Sequence, residues 1–123
     1  MIQDELMHML KNEINELEWT VDYYTSNDNT GTVFVSSGSQ PDMYDTEYRY
    51  PSYQVYIRTS DWDLAKQLAE KVFQLLHKKH NFKAGDYYVY LITAATEPIR
   101  VGVIDDVMEY SINFDASLIR EEQ

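Results

Sequence analysis

His77 and His80 stand about one helical turn apart, a spacing that lets two imidazoles reach one metal ion, yet no third ligand follows at a convincing distance. With Lys78 and Lys79 they form a basic run at the end of an apolar-periodic segment. Cations there offset the exposed carbonyls of a helix terminus, which accounts for all four residues. His8 sits in an acidic helix flank and reads as a surface residue. Asp105 and Asp106 have the chemistry for paired acid and base work, but neighbouring side chains in a tight turn diverge into water, and a turn explains them better. Asn27, Asp28 and Asn29, and again Asp42, Asp45 and Glu47, offer oxygen ligands to a hard cation. Neither run has the spaced ligands and glycine of a calcium loop, so solvated loop charge is the expectation. There is no G-x-S-x-G elbow, no Ser/His/acid arrangement, no glycine loop to cradle a phosphate and no cysteine. The sequence thus predicts no catalytic residue, no metal and no cofactor, and points to association instead of catalysis.

Composition narrows the partners. The 123 residues suit a single domain, 1–123, around one hydrophobic core. With 21 acidic against 10 basic residues, a formal charge of -11 opposes wrapping around nucleic acid, whose phosphates demand clustered Lys and Arg. Arg49, Arg58, Arg100 and Arg120 are scattered among acids, so bases stacked on tyrosine would lack an electrostatic partner. The lack of cysteine rules out disulfides and leaves the fold to packing, which fits assembly in a cytoplasm. No run approaches the roughly 20 apolar residues of a membrane span, and MIQDELMHMLKNE lacks a signal-peptide layout. A soluble, non-membrane protein is expected. The 11 tyrosines suit surfaces that are alternately wet and buried.

The elements that must position these residues follow from periodicity. Ile2, Leu6, Leu10, Ile14 and Leu17 recur at three- and four-residue steps and predict a helix over Met1 to Leu17. Trp19–Tyr24 and Thr32–Ser36, on either side of the turn formers TSNDNTG, predict a hairpin. The segment 36–51, SSGSQPDMYDTEYRYP, has no period and reads as a long Tyr-rich loop, functional or mobile. Tyr53, Val55 and Ile57 alternate with Gln54, Tyr56 and Arg58 in a half-buried strand that stops at Thr59-Ser60. Ser60 as N-cap and Asp63 completing a capping box open a second helix, with Ala65, Leu68, Ala69, Val72, Leu75 and Leu76 as its buried stripe. Lys78, Lys79 and His80 fall in its last turn and Asn81 is placed to stop it. After Gly85-Asp86, YYVYLIT reads as a central strand covered on both faces. A second strand, IRVGV, follows Pro98, the Asp105-Asp106 turn comes next, and VMEYSINFD then alternates, with Met108, Tyr110, Ile112 and Phe114 on one side and Glu109, Ser111, Asn113 and Asp115 on the other. The prediction is an α+β fold, a mostly antiparallel sheet with two helices packed on one face, in the order α-β-β-loop-β-α-β-β-β.

A rigid frame with one long Tyr-rich loop and a charged exterior is suited to docking, and Tyr and Arg anchors commonly dominate interfaces. Met43, Tyr44, Tyr48, Arg49, Tyr50, Tyr56 and Arg58 are the candidate contact residues. For Tyr44, Tyr48 and Tyr50 the alternative is a loop folded back over its own sheet.

Four features between Pro51 and Asp115 carry a resemblance. They are a Pro followed by a strand ending in Arg (Pro51 to Arg58), the Glu97-Pro98 step, Gly102 before an acidic turn, and the E-Y-S-I-N-F strand from Glu109 to Phe114. In order and spacing the stretch resembles the minor capsid or tail terminator proteins of long-tailed bacteriophages. The turn IDDVMEY lacks the Gly and Arg found there in many relatives. The resemblance implies a virion protein at the head-proximal end of the tail, assembled in the host cytoplasm. Its subunits would form a hexameric ring that caps the tail tube, halts its polymerisation and joins the head connector. The implied partners are further copies of itself, the tail tube protein and the head completion or connector protein, with DNA passing through the ring without specific binding. Acidic charge facing the bore would keep that DNA mobile. Net charge alone supports an alternative from another class, a small acidic adaptor or inhibitor that binds a basic protein partner.

Overall fold

In the computed structural model, which describes residues 2–23, 25, 27–38, 40, 43–44 and 47–121, the first apolar stripe forms helix α1, Gln3–Glu13. Leu6 and Leu10 are buried along it, and Ile14 and Leu17 are buried beyond its end, so the stripe outlasts the helix. The helix stops at Ile14, which leaves helical backbone at φ -127, ψ 88 while its N–H still donates to the Leu10 carbonyl. The freed Ile14 carbonyl accepts from the Trp19 indole at 2.9 Å, which satisfies one of the acceptors a helix end leaves open.

The remaining elements are β1 (Glu18–Val21), β2 (Thr30–Gly38), β3 (Tyr48–Arg49), β4 (Pro51–Thr59), α2 (Trp62–Leu76), β5 (His80–Ala84), β6 (Tyr87–Ala94), β7 (Ile99–Ile104) and β8 (Val107–Arg120). They make one mostly antiparallel sheet of order β1-β2-β4-β8-β6-β5, with β3 and β7 also paired to β8. Strand β8 is the spine. Along one edge it pairs β4 from Met108 to Asp115 and then β3 at Leu118 and Ile119; along the other it pairs β7 from Val107 to Ser111 and then β6 from Phe114 to Arg120. Tyr53, Val55 and Ile57 of β4 share a core with Ile112, Phe114 and Leu118 of β8, Leu6 and Leu10 of α1, and Leu68, Val72 and Leu76 of α2. Each such side chain contributes roughly 1.5–3 kcal/mol on burial, so the two helices bind the sheet through one apolar face. The α+β fold and the approximate element order are those the sequence predicts.

Several local expectations are corrected. The expected hairpin does not form, because β1 and β2 pair in parallel, Glu18 opposite Thr30 through Val21 opposite Val33. Left-handed Asp22 (φ 64) follows β1 and left-handed Asn29 (φ 56) precedes β2, turns suited to returning the chain for a parallel pair. The pair is locked by a 2.8 Å hydroxyl bond between Thr20 and Thr32 and by the Trp19 ring lying over Gly31, where an added Cβ would sit 2.6 Å from the ring. The capping residue of α2 is Asp61, whose carboxylate accepts from the Leu64 N–H at 3.1 Å. Ser60 instead gives both its N–H and its hydroxyl to Asp28.

The basic run lies past α2, which ends at Leu76. His77 is extended, and Lys78 (φ 65) takes the left-handed stop position that was expected of Asn81. Asn81 is also left-handed (φ 54) but lies within β5, a strand the sequence reading missed. Nor is β6 covered on both faces. Both helices lie on one side, and a bulge between Val89 and Leu91 leaves Tyr90 and Leu91 exposed. In β8, Glu109 and Ser111 lie on the face away from the helices as expected, but they are buried there by Arg58 and Gln54. The expected 36–51 loop is shortened at both ends, by β2 running to Gly38 and by β3.

Candidate interaction surface

Strand β3 brings Tyr48 opposite Ile119 on β8, beside the bulge of β6. There the Tyr48 ring stacks on Tyr90 with centroids 5.4 Å apart and planes 10° from parallel. Tyr50 leans on Tyr48 at 5.1 Å, and Tyr88 meets Tyr90 edge-on at 5.1 Å, so four tyrosines join in one cluster. Each such pair is worth about 0.5–1.5 kcal/mol beyond its buried area, enough to hold the returning chain on the sheet. A shallow hollow of about 230 Å³ continues from Tyr50 past Leu91, Thr93 and Asp115. Outside it, Met43 and Tyr44 stand 87% and 97% exposed. Tyr48 and Tyr50 thus fold back over their own sheet while Tyr44 projects.

The seven candidate contact residues divide. Met43, Tyr44, Tyr48, Arg49 and Tyr50 belong to the stretch of chain that leads through β3 into β4. Tyr56 and Arg58 lie further along β4 on the face turned from the helices, with Tyr56 half-buried opposite Ser111. Arg58 is committed inside the molecule. Its Nε donates to Glu109 at 3.1 Å, and Nη1 donates to the carbonyls of Thr25 (2.9 Å) and Asn27 (3.2 Å). Tyr88 and Tyr90 went unnoticed in the sequence reading, although the unbroken YYVY run was their signal. The sequence does place a strand at IRVGV after Pro98, but not its open surface: Ile99, Val101, Val103 and Ile104 are all exposed on β7, which among the described residues pairs only with β8. The hairpin of β7 and β8 is steadied by the Trp62 indole, which donates to the Asp106 carbonyl at 3.0 Å.

The groups with chemical potential are used structurally. His77 Nδ1 accepts from the Ala94 N–H at 2.9 Å, and His80 Nδ1 lies 2.8 Å from the Lys78 carbonyl. Among the described residues no cluster of three or more His, Asp or Glu is placed to hold a metal ion. Asp42 and Asp45 lie outside the described residues. Asp105 (φ 51) and Asp106 (φ 65) form the two-residue turn of a right-twisted hairpin. Asn27 to Asn29 are tied to the end of β4, with Thr59 donating its hydroxyl to Asn29 at 2.6 Å. The Ser60 hydroxyl, helped by the N–H groups of Ser60 and Asn29 and by the Arg58 charge, holds the Asp28 carboxyl below its usual range against the opposing effect of burial. Burial pushes the Tyr53 hydroxyl well above the ordinary tyrosine value.

A sheet backed on one side by helices, with clustered tyrosines and an apolar edge strand left open, defines a structural module equipped to pack against other proteins. The chain belongs to the bacteriophage tail terminator family, whose profile, described as "Bacteriophage tail terminator protein", matches residues 4–119. Membership makes it a structural component of the virion tail that serves tail completion. A search of curated proteins found no match. One solved structure superposes with a TM-score of 0.63 and 14% identity over 98% of this chain and 92% of the other, a likeness of fold alone. Among the described residues no helix is long and apolar enough to cross a membrane.

Proposed function

We propose that this subunit assembles into a hexameric ring on the head-proximal end of the tail tube, halts tube polymerisation and offers its other face to the head connector. The family match across residues 4–119 carries the reading. The geometry supplies surfaces suited to it. Met43 and Tyr44 are strongly exposed ahead of β3 in the chain, and exposed aromatic and thioether side chains of this kind anchor protein contacts. Subunits form in the host cytoplasm, and the acidic exterior, turned to the bore, keeps passing DNA mobile. No step of this work is catalytic, since capping needs only contacts.

Light scattering with electron microscopy, with and without purified tail tubes, tests the proposal. A ring-sized species, free or seated on tube ends, is the expected result; a monomer that ignores tube ends would remove it. The Tyr48→Ala/Arg49→Ala variant is expected to stay folded and lose assembly. Intact rings from that variant would take β3 out of the contact surface.

A further inference from the structure

Building on the ring reading, we infer that neighbouring subunits join through opposite edges of the sheet, the basic β5 edge of one copy meeting the acidic β1 edge of the next. Strand β1 ends the sheet on one side and β5 on the other, and among the described residues each is paired along one side only. An unpaired edge offers a row of backbone donors and acceptors to another strand.

Charge is sorted between the two edges. From Lys11 to Arg49 the intervening chain has no basic residue, and the exposed Glu18 opens β1 with exposed Glu16 and Asp22 on either side of the strand. Three of the six lysines, Lys78, Lys79 and Lys83, gather with His80 at β5. Among the described residues the ion pair there, Lys83 to Glu121 at 3.6 Å, is exposed on both partners and contributes little. A basic edge on a chain of charge -11 has its natural complement on another copy of that chain. Like edges repel, so a two-fold pairing of β1 with β1 or β5 with β5 is disfavoured. Unlike edges give a heterologous contact, the kind that closes a ring when the rotation permits. Strand β7 lies on the β5 side of β8, and its exposed Ile99, Val101 and Val103 add apolar area on the same flank.

Two charge-reversed variants, Lys78→Glu/Lys83→Glu and Glu16→Lys/Glu18→Lys, test the joint by light scattering and microscopy beside the wild type, with tail tubes present and absent. Each alone should keep the wild-type circular dichroism and need more than about tenfold higher concentration to assemble. Mixed in equal amounts they should recover rings, because alternating copies restore opposite charge at every joint. Rings from either variant at wild-type concentration would overturn the edge assignment and leave the ring reading standing. So would a mixture of folded variants that stays monomeric. A wild type that never assembles, even on tubes, removes the ring reading and the joint with it.

Discussion

Arg58 occupies a solvent-facing register of β4, yet its side chain is only 15% exposed and that of its partner Glu109 only 8%. Its guanidinium ties β4 to β8 and also collects two carbonyls of segment 22–29. Arg58→Ala should therefore lower stability by about 3 kcal/mol in urea unfolding, mostly because Glu109 is left buried and unpaired. Combining Arg58→Met with Glu109→Leu should recover much of that loss; a double variant as unstable as the sum of its singles would show that the two side chains act independently. Asp28 is the residue with a readable pH signature. Its folded pKa lies below the ordinary 3.8, so its contribution is fully present above that value and is lost as pH falls through the lower folded one. Carboxyl NMR should find Asp28 titrating below 3.8, and Ser60→Ala should move it back up. A normal midpoint in the wild type would mean that the Ser60 contact does not persist in solution. Alternation in β4 was legible from sequence and placed Arg58 on the correct face. Its partner, 51 residues away, was not, because pairing across a sheet depends on register that no local pattern carries.

At the scale of elements, periodicity was sufficient for α2 and β4, each with one buried face, while in α1 the apolar stripe outlasts the helix. The stripe of α2 and the strict in-out pattern of β4 came directly from residue spacing. It failed where turn chemistry admits two outcomes. The polar, Asn-rich run after β1 has the composition of a hairpin turn, but left-handed Asp22 and Asn29 carry the chain back into a parallel pair, and the anchors that hold it there lie on β4 and at Ser60. Strand β5 escaped notice because HNFKA is short, mostly exposed and led by cations that equally suit a helix end. The choice of N-cap was ambiguous between adjacent residues and was decided by a distant one, since Asp28 engages Ser60 and leaves Asp61 to cap. Asp61→Ala should then cost about 1 kcal/mol of stability by thermal or urea unfolding. Ser60→Ala should spare the cap and act through Asp28. In the β7–β8 turn, both central residues hold a positive φ that glycine adopts without a Cβ penalty, so Asp106→Gly should gain roughly 0.5–1 kcal/mol. A loss on that substitution would show that the Asp106 side chain makes a compensating contact.

For the whole molecule, charge acts on assembly in two opposing ways that differ in range. Each copy carries -11, so bringing copies together meets a repulsion spread over the entire surface. The proposed joint places lysines of one edge against glutamates of another at contact distance. Salt removes the long-range repulsion first, because the screening length falls from about 30 Å at 0.01 M to about 8 Å at 0.15 M. Contact pairs persist until that length nears 3 Å, at about 1 M. Ring formation by the wild type, followed by light scattering across this range, should therefore rise from low salt to a maximum near physiological ionic strength and fall again towards 1 M. The Lys78→Glu/Lys83→Glu variant, whose edge charge is turned from net attraction to net repulsion, should instead improve steadily with salt. A wild type that also improves steadily would assign the joint to apolar contacts such as those of β7, and one that only declines would mean that attraction between edges outweighs the net charge even at long range.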